Sequence, residues 1–207
     1  MVLAQLSLTS SIKVRDIGEL KTEIIRKSLH FLIALSPSMA AINKPLTVFF
    51  LLTGILSYTI MESLRLSGVK IPVISSLTNM ASRSRDIGRF VMGPVTLGLG
   101  ALLALLFYPS PAAAIAIYAL AFGDGIASLV GKFFGKIRPA FLSGKSIEGS
   151  VACFTAVLIC AYGVSGRMHI ALVAAFIATI TEAMPLEDYD NLLIPVTVGL
   201  AVQLAGL

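Results

Sequence analysis

Apolar stretches recur from residue 29 to the end of the chain, and this constrains the fold more than any other feature. Seven are legible: Leu29–Ile42, Leu46–Ile60, Val91–Tyr108, Ala112–Val130, Ser150–Val164, Ile170–Met184 and Leu192–Leu207. A helix needs about 20 apolar residues to cross the hydrocarbon core of a bilayer, and several of these are shorter. Thinning of the bilayer and snorkelling of flanking basic residues accommodate short helices. Helices also stop early where a site is built at membrane depth. Charged residues make up only 13% of the 207-residue chain, about half the share of a soluble domain. No stretch alternates as a strand would, and the apolar runs are too widely spread for a cleaved leader. The expectation is an all-α, polytopic integral membrane protein of about seven transmembrane helices. Residues 1–28 form an N-terminal segment, and residues 29–207 a single membrane-embedded domain with a loop at about 61–90. That loop carries apolar residues among Ser, Thr, Lys and Arg, so it either lies in the interface or is a plain loop.

The charges suggest an orientation. With the N-terminus in the cytoplasm, fourteen of the sixteen Lys and Arg residues fall on the inner side, and only Lys44 and Arg167 lie outside. This is the positive-inside pattern. The net charge of +5 is accounted for by anionic lipid headgroups and loop retention, not by nucleic acid. The acidic residues also fall at or near the inner face, although the insertion rule gives them no reason to. A metal–phosphate site supplies one. Cys153 and Cys160, seven residues apart in an apolar run, read as small buried hydrophobes.

Four groups of residues carry possible chemistry. In Glu23-Ile-Ile-Arg26-Lys27-Ser-Leu-His30, helical spacing puts Glu23, Arg26 or Lys27, and His30 on one face. The bland alternative is a basic turn at the membrane surface with a satisfied histidine. The second group starts at Gly123-Asp124 and continues through Ala127, Ser128, Gly131, Lys132 and Gly135. An acid at the centre of a membrane helix costs about 2.5–3.5 kcal/mol, less near its end, so Asp124 needs a divalent metal or a lysine. The small residues form a strip that either packs a neighbouring helix or lets a nucleotide approach the backbone.

The third group is Ser143-Gly144-Lys145-Ser146-Ile147-Glu148-Gly149. It is not a P-loop, because Pro139 stands where that motif needs glycine and no strand precedes it. A helix start with Lys145 beside it suits phosphate. Ser146 with Gly149 does not match a capping box, and Lys145 with Glu148 matches a phosphate-plus-metal arrangement. The fourth group is Glu182 in an apolar run, followed by Glu187, Asp188, Asp190, Asn191 and Pro195. These acids are either a solvated loop or ligands for Mg²⁺, which takes carboxylate and amide oxygens.

Together and in this order, the four groups resemble the membrane family of dolichol, phytol and CTP-dependent diacylglycerol kinases. The matching elements are Arg26-Lys27-x-x-His30, Gly123-Asp124-x-x-Ala127 with Gly131 and Gly135, Gly144-Lys145-Ser146-x-Glu148-Gly149, and Glu182 with Asp190, Asn191 and Pro195. Gly123–Ser128 also resembles a signature of phosphatidate cytidylyltransferase, a more distant relation. The resemblance implies Mg²⁺-dependent transfer of the γ-phosphoryl group of CTP to a lipid alcohol at the cytoplasmic face of a prokaryotic inner membrane. It implies catalytic roles for Asp124, Glu182, His30 and Lys145. It implies nucleotide binding by Arg26, Lys27, Gly123, Ser128, Lys132, Gly144, Ser146 and Gly149, and metal ligation by Asp124, Glu148, Asp190 and Asn191. The general base is open among Asp124, Glu182 and His30. Two rival readings are cytidylyl transfer, giving CDP-diacylglycerol, and a transporter with acids along its pathway.

Overall fold

A computed structural model describes residues 22–69, 71–72, 78, 86, 88–142 and 144–206. Its helices are α1 (residues 22–33), α2 (Ser36–Leu66), α3 (Gly93–Phe107), α4 (Ala112–Phe133), α5 (Ile147–Ser165), α6 (Met168–Ala183) and α7 (Asp190–Leu204). No strand occurs among the described residues. Helices α2, α4 and α5 are long and apolar enough to cross a membrane, and α3, α6 and α7 are shorter apolar helices. The all-helical polytopic expectation therefore holds.

Helix α2 contains the break expected between the first two apolar stretches. Asn43 leaves helical geometry, with φ −153° and ψ 93°. Its Oδ1 accepts from the Leu46 N–H at 3.0 Å, and its carbonyl accepts from Thr47 Oγ1 at 2.9 Å. Asn43 thus caps the helix that follows, with Pro45 in a first turn where a missing N–H does no harm. The second half of α2 runs to Leu66, past the expected end at Ile60. Met61–Leu66 is therefore transmembrane-helix extension and not the start of a surface loop. The cause is Glu62, which is fully buried and holds Arg65 at 2.7 Å and the Val91 N–H at 3.0 Å. Most of residues 70–87 lies outside the described residues. Ile42, Phe49, Phe50 and Leu56 of α2 are more than half exposed, as suits a surface facing hydrocarbon.

The core is built from small residues. Ala101 and Ala104 of α3, Ala116 of α4, and Ala171, Ala174, Ala175 and Ala178 of α6 are completely buried. Their spacing of three and four keeps them on single helix faces, and small side chains let membrane helices approach closely. Helix α7 packs on α3, α4 and α6. Pro195 within it has no N–H to offer the Asn191 carbonyl one turn back. Gly100 of α3 fills that gap so closely that a Cβ there would sit 2.1 Å from the Asn191 oxygen.

Helix α4 is not regular. Ala119–Asp124 forms a π-helical turn in its middle, a distortion often found at functional sites. It ends on Asp124. The start of α1, the end of α4, the start of α5, the end of α6 and the start of α7 meet at one end of the bundle, as the sided charge pattern requires.

Candidate active site

Asp124 sits at the centre of this end, 2% exposed. Its Oδ2 pairs with Lys27 Nζ of α1, and His30 Nδ1 lies 3.1 Å from the same oxygen. Ser128, one turn further along α4, donates to Oδ1 at 3.3 Å. The charge that Asp124 requires inside an apolar helix is thus a lysine. Lys27, expected on phosphate, is instead consumed by this buried pair.

Glu23 ties the two helices together from outside this pair. It accepts from Lys132 of α4 at 2.9 Å and lies 3.3 Å from Arg26 and 3.9 Å from Lys27. Burial pushes its carboxyl upward, but Lys27, Arg26 and Lys132 outweigh that and hold it down at about 2. Arg26 also reaches Asp188 at 3.5 Å.

The loop before α5 is stitched by its own side chains. Ser146 is the N-cap of α5, and its Oγ accepts from the Gly149 N–H at 3.1 Å. As expected, this is not a capping box, because Gly149 has no reciprocal acid to offer, yet the Ser146 hydroxyl alone still caps the helix. Glu148 turns back and accepts from the N–H groups of Lys136 and Ile137 at 3.0 and 3.2 Å. Its carboxylate fastens the loop after α4, a different task from the expected metal ligation. Arg138 donates to the carbonyls of Gly144 and Gly131, and Gly144 needs the positive φ of 91° found there.

The small-residue strip of α4 is mainly a packing surface. A Cβ on Gly149 would lie 2.8 Å from the Ala127 carbonyl and 3.4 Å from Gly131 Cα. A Cβ on Gly123 would meet Val157 Cγ2 at 2.8 Å and Cys153 Sγ at 3.3 Å. Gly123, expected to bind nucleotide, is therefore buried against α5 and takes no part in an open surface. Gly131, Gly149 and Ser128 do both, since they also border a cleft.

That cleft, of about 210 Å³, is lined by Glu23, Lys132, Arg138, Lys145 and Glu182 as well as by the strip. Lys145 Nζ lies 3.1 Å from Glu182 Oε1 and donates to the Glu182 backbone carbonyl. Glu182 Oε2 is buried without a partner among the described residues. Asp190 lies close enough to Asp124, Lys27 and Lys145 to feel their charges, and Glu182 feels the same three groups. Asn191 is fixed from the other side. Its Nδ2 donates to Thr96 Oγ1 at 3.1 Å, and its Oδ1 has no partner among the described residues.

The expected acids and bases are thus brought to one place, with Glu148 the exception. Among the described residues no three of His, Cys, Asp and Glu form a ready-made metal cage. Mg²⁺ is held by one or two carboxylates with substrate phosphates and water, so such a cage is not required. The orphaned oxygens Asn191 Oδ1 and Glu182 Oε2 are open donors of the right kind, and Glu182 and Asp190 both feel the Asp124 charge, so the residues fit such a partial donor set. Reasoning from sequence missed Arg138 and did not give Glu23 a role. Glu23 was visible from its spacing to Arg26 and Lys27. Nothing in the sequence marked Arg138, whose acceptors are main-chain carbonyls.

The fold and this site define a polytopic helical membrane protein with a buried acid–lysine–histidine cluster behind a basic cleft. Over 158 residues it is 26% identical to phytol kinase 1, chloroplastic, of Arabidopsis thaliana, covering 68% of this chain and 52% of that protein. It is 29% identical over 115 residues to CTP-dependent diacylglycerol kinase 1 of Schizosaccharomyces pombe, covering 47% of this chain and 53% of that one. The corresponding kinase of Eremothecium gossypii is 26% identical over 146 residues, covering 58% and 46%. The chain is a homologue of lipid kinases, CTP-dependent ones among them. It spans about half the length of the curated relatives it matches. No family profile and no solved structure matches it.

Proposed function

We propose that the chain transfers the γ-phosphoryl group of CTP to the hydroxyl of a membrane lipid alcohol. The products are a lipid phosphomonoester, CDP and a proton. The observation that carries this reading is the Asp124–Lys27–His30 cluster lying behind a basic cleft, in a chain homologous to lipid kinases. Phosphoryl transfer asks a protein mainly for positioning and charge neutralisation. Lys132, Arg138 and Lys145 line the cleft where the nucleotide phosphates would lie. Lys145 is the main phosphate ligand in this scheme, next to the capped start of α5. Mg²⁺, when bound, neutralises phosphate charge, and Asp124, Asp190 and Asn191 would hold it. His30, held beside the Asp124 carboxylate, accepts the proton of the attacking hydroxyl. Lys27 pairs with that carboxylate and holds it in place.

Arg26, Lys27, Lys132, Lys136, Arg138 and Lys145, which the sequence pattern assigns to the inner side, lie in or next to the segments that build the cleft and its flanking cluster, and this favours a cleft facing the cytosol. The membrane we assign is the inner membrane of a prokaryote. The test is purified protein in lipid nanodiscs with each of the four nucleoside triphosphates, against phytol, diacylglycerol and a polyprenol. Mass spectrometry should find a phosphomonoester formed from CTP. No phosphorylated lipid from any pair would refute the reading.

A further inference from the structure

Lys145 and Glu182 both line the basic cleft, and the way they pair gives Glu182 a task. The main chain at Lys145 is held on each side. Its own N–H donates to the Leu142 carbonyl at 2.9 Å, Arg138 donates to the carbonyl of Gly144 before it, and Ser146 after it caps α5. The side chain is held at its tip. Nζ lies 3.1 Å from Glu182 Oε1 and also donates to the Glu182 main-chain carbonyl. That carbonyl belongs to the last turn of α6, where carbonyls lack partners within the helix and a cation is favoured. Glu182 is 5% exposed, whereas the Lys145 side chain is 28% exposed. The acid is therefore the fixed member of the pair.

An ammonium carries three N–H donors. Two of them go to Glu182, and the third has no partner among the described residues. That third donor is the one available to a ligand in the cleft. We infer that Glu182 is a positioning residue, which clamps the Lys145 ammonium where it meets a nucleotide phosphate. A loose lysine gives up rotamer freedom on binding, and a clamped one has already given it up on folding. Protein kinases rely on a comparable lysine–glutamate ion pair, which has to be in place for activity. The clamp also gives Glu182 a task other than accepting the proton of the lipid hydroxyl, since one of its oxygens is committed to Lys145. The phosphate role of Lys145 rests on the lipid-kinase reading above. The opposite arrangement, in which Glu182 competes with phosphate for Lys145, predicts the opposite sign for every binding change below.

The experiment uses the full chain in nanodiscs and measures calorimetric binding of CTP and of inorganic tripolyphosphate, in EDTA and again with Mg²⁺. Glu182→Ala should raise Kd for both ligands about tenfold under either condition, the worth of a charge-assisted hydrogen bond. Glu182→Met serves if the alanine variant does not fold. Glu182→Gln, whose amide oxygen still accepts from Lys145, should stay within about threefold of the parent. Lys145→Gln combined with Glu182→Ala should bind no worse than Lys145→Gln alone, because the clamp then has nothing to hold. In turnover assays KM for the alcohol should not change. Unchanged or tighter binding in Glu182→Ala would overturn the clamp, and so would losses that simply add in the double variant. A defect seen only with Mg²⁺ would make Glu182 a metal ligand through its buried Oε2 and would also overturn it. Loss of kcat in Glu182→Gln with unchanged Kd would make Glu182 the base instead. The expected binding pattern without any lipid phosphorylation would leave the clamp standing and remove the kinase reading. A parent chain that binds neither CTP nor tripolyphosphate would remove both.

Discussion

Removing Lys27 should damage the protein far more than removing Lys27 and the Asp124 charge together. Both residues are 2% exposed, and their ion pair joins α1 to α4. In Lys27→Met, Asp124 keeps only His30 at 3.1 Å and Ser128 at 3.3 Å. A buried charge stripped of its partner costs about 3–5 kcal/mol. For a chain of this size each kcal/mol moves the melting temperature by about 2–4 °C, so the drop should be on the order of 10 °C. In Lys27→Met with Asp124→Asn no charge is left unpaired, and replacing both members of a buried pair is often nearly neutral. The double variant should therefore recover most of the lost stability while both variants lose turnover. Thermal unfolding in detergent micelles, followed by intrinsic fluorescence of the tyrosines or by light scattering, reads the difference. A single variant that melts within about 2 °C of the parent, or a double variant as unstable as the single, would refute the pairing argument.

Lys145→Gln should raise KM for CTP about 10- to 100-fold, the worth of a charge-assisted hydrogen bond to phosphate, and leave KM for the alcohol unchanged in steady-state assays. Glu23 adds an acid-sensitive contribution. Its folded value of about 2 lies below the ordinary 4.5, so it stabilises fully above pH 4.5 and that help disappears as pH falls through 2. The shift corresponds to about 3 kcal/mol, and melting curves between pH 7 and pH 3 should be flatter for Glu23→Gln than for the parent. Gly149→Val should lower stability by about 1–3 kcal/mol and weaken CTP binding together, because its side chain would press on the Ala127 carbonyl and Gly131 Cα. A folded, fully active Gly149→Val variant would contradict the packing of α5 on α4.

Much of the fold was legible because membrane helices announce themselves by length and apolar content. The boundaries of α3, α5 and α6 fall within three residues of the apolar stretches. The break in α2 at Asn43 falls in the gap left between the first two apolar stretches. The extension of α2 to Leu66 was not legible, since Glu62 is accepted into the bundle because Arg65, the Thr78 hydroxyl and the Val91 N–H reach it. The site divides along the same line. Asp124 and Glu182 stood out as acids in apolar runs, and both are buried with lysine partners. Which lysine serves which acid depends on how α1 and α5 dock, and spacing along the chain carries no record of that. The same limit hid the work of Glu148, whose carboxylate and main-chain donors are eleven and twelve residues apart. Glycine spacing in α4 marked a close approach correctly but did not say whether a helix or a nucleotide makes it.

The central claim is that the γ-phosphoryl group of CTP moves to a lipid hydroxyl at the Asp124 cluster. It is tested most directly by giving the purified protein CTP labelled separately at the α and γ phosphorus, with a lipid alcohol in nanodiscs. The account predicts γ label in the lipid fraction, α label remaining in CDP, and loss of both products in Asp124→Asn. Label from the α phosphorus in the lipid with γ label in pyrophosphate would mean cytidylyl transfer, and would contradict it.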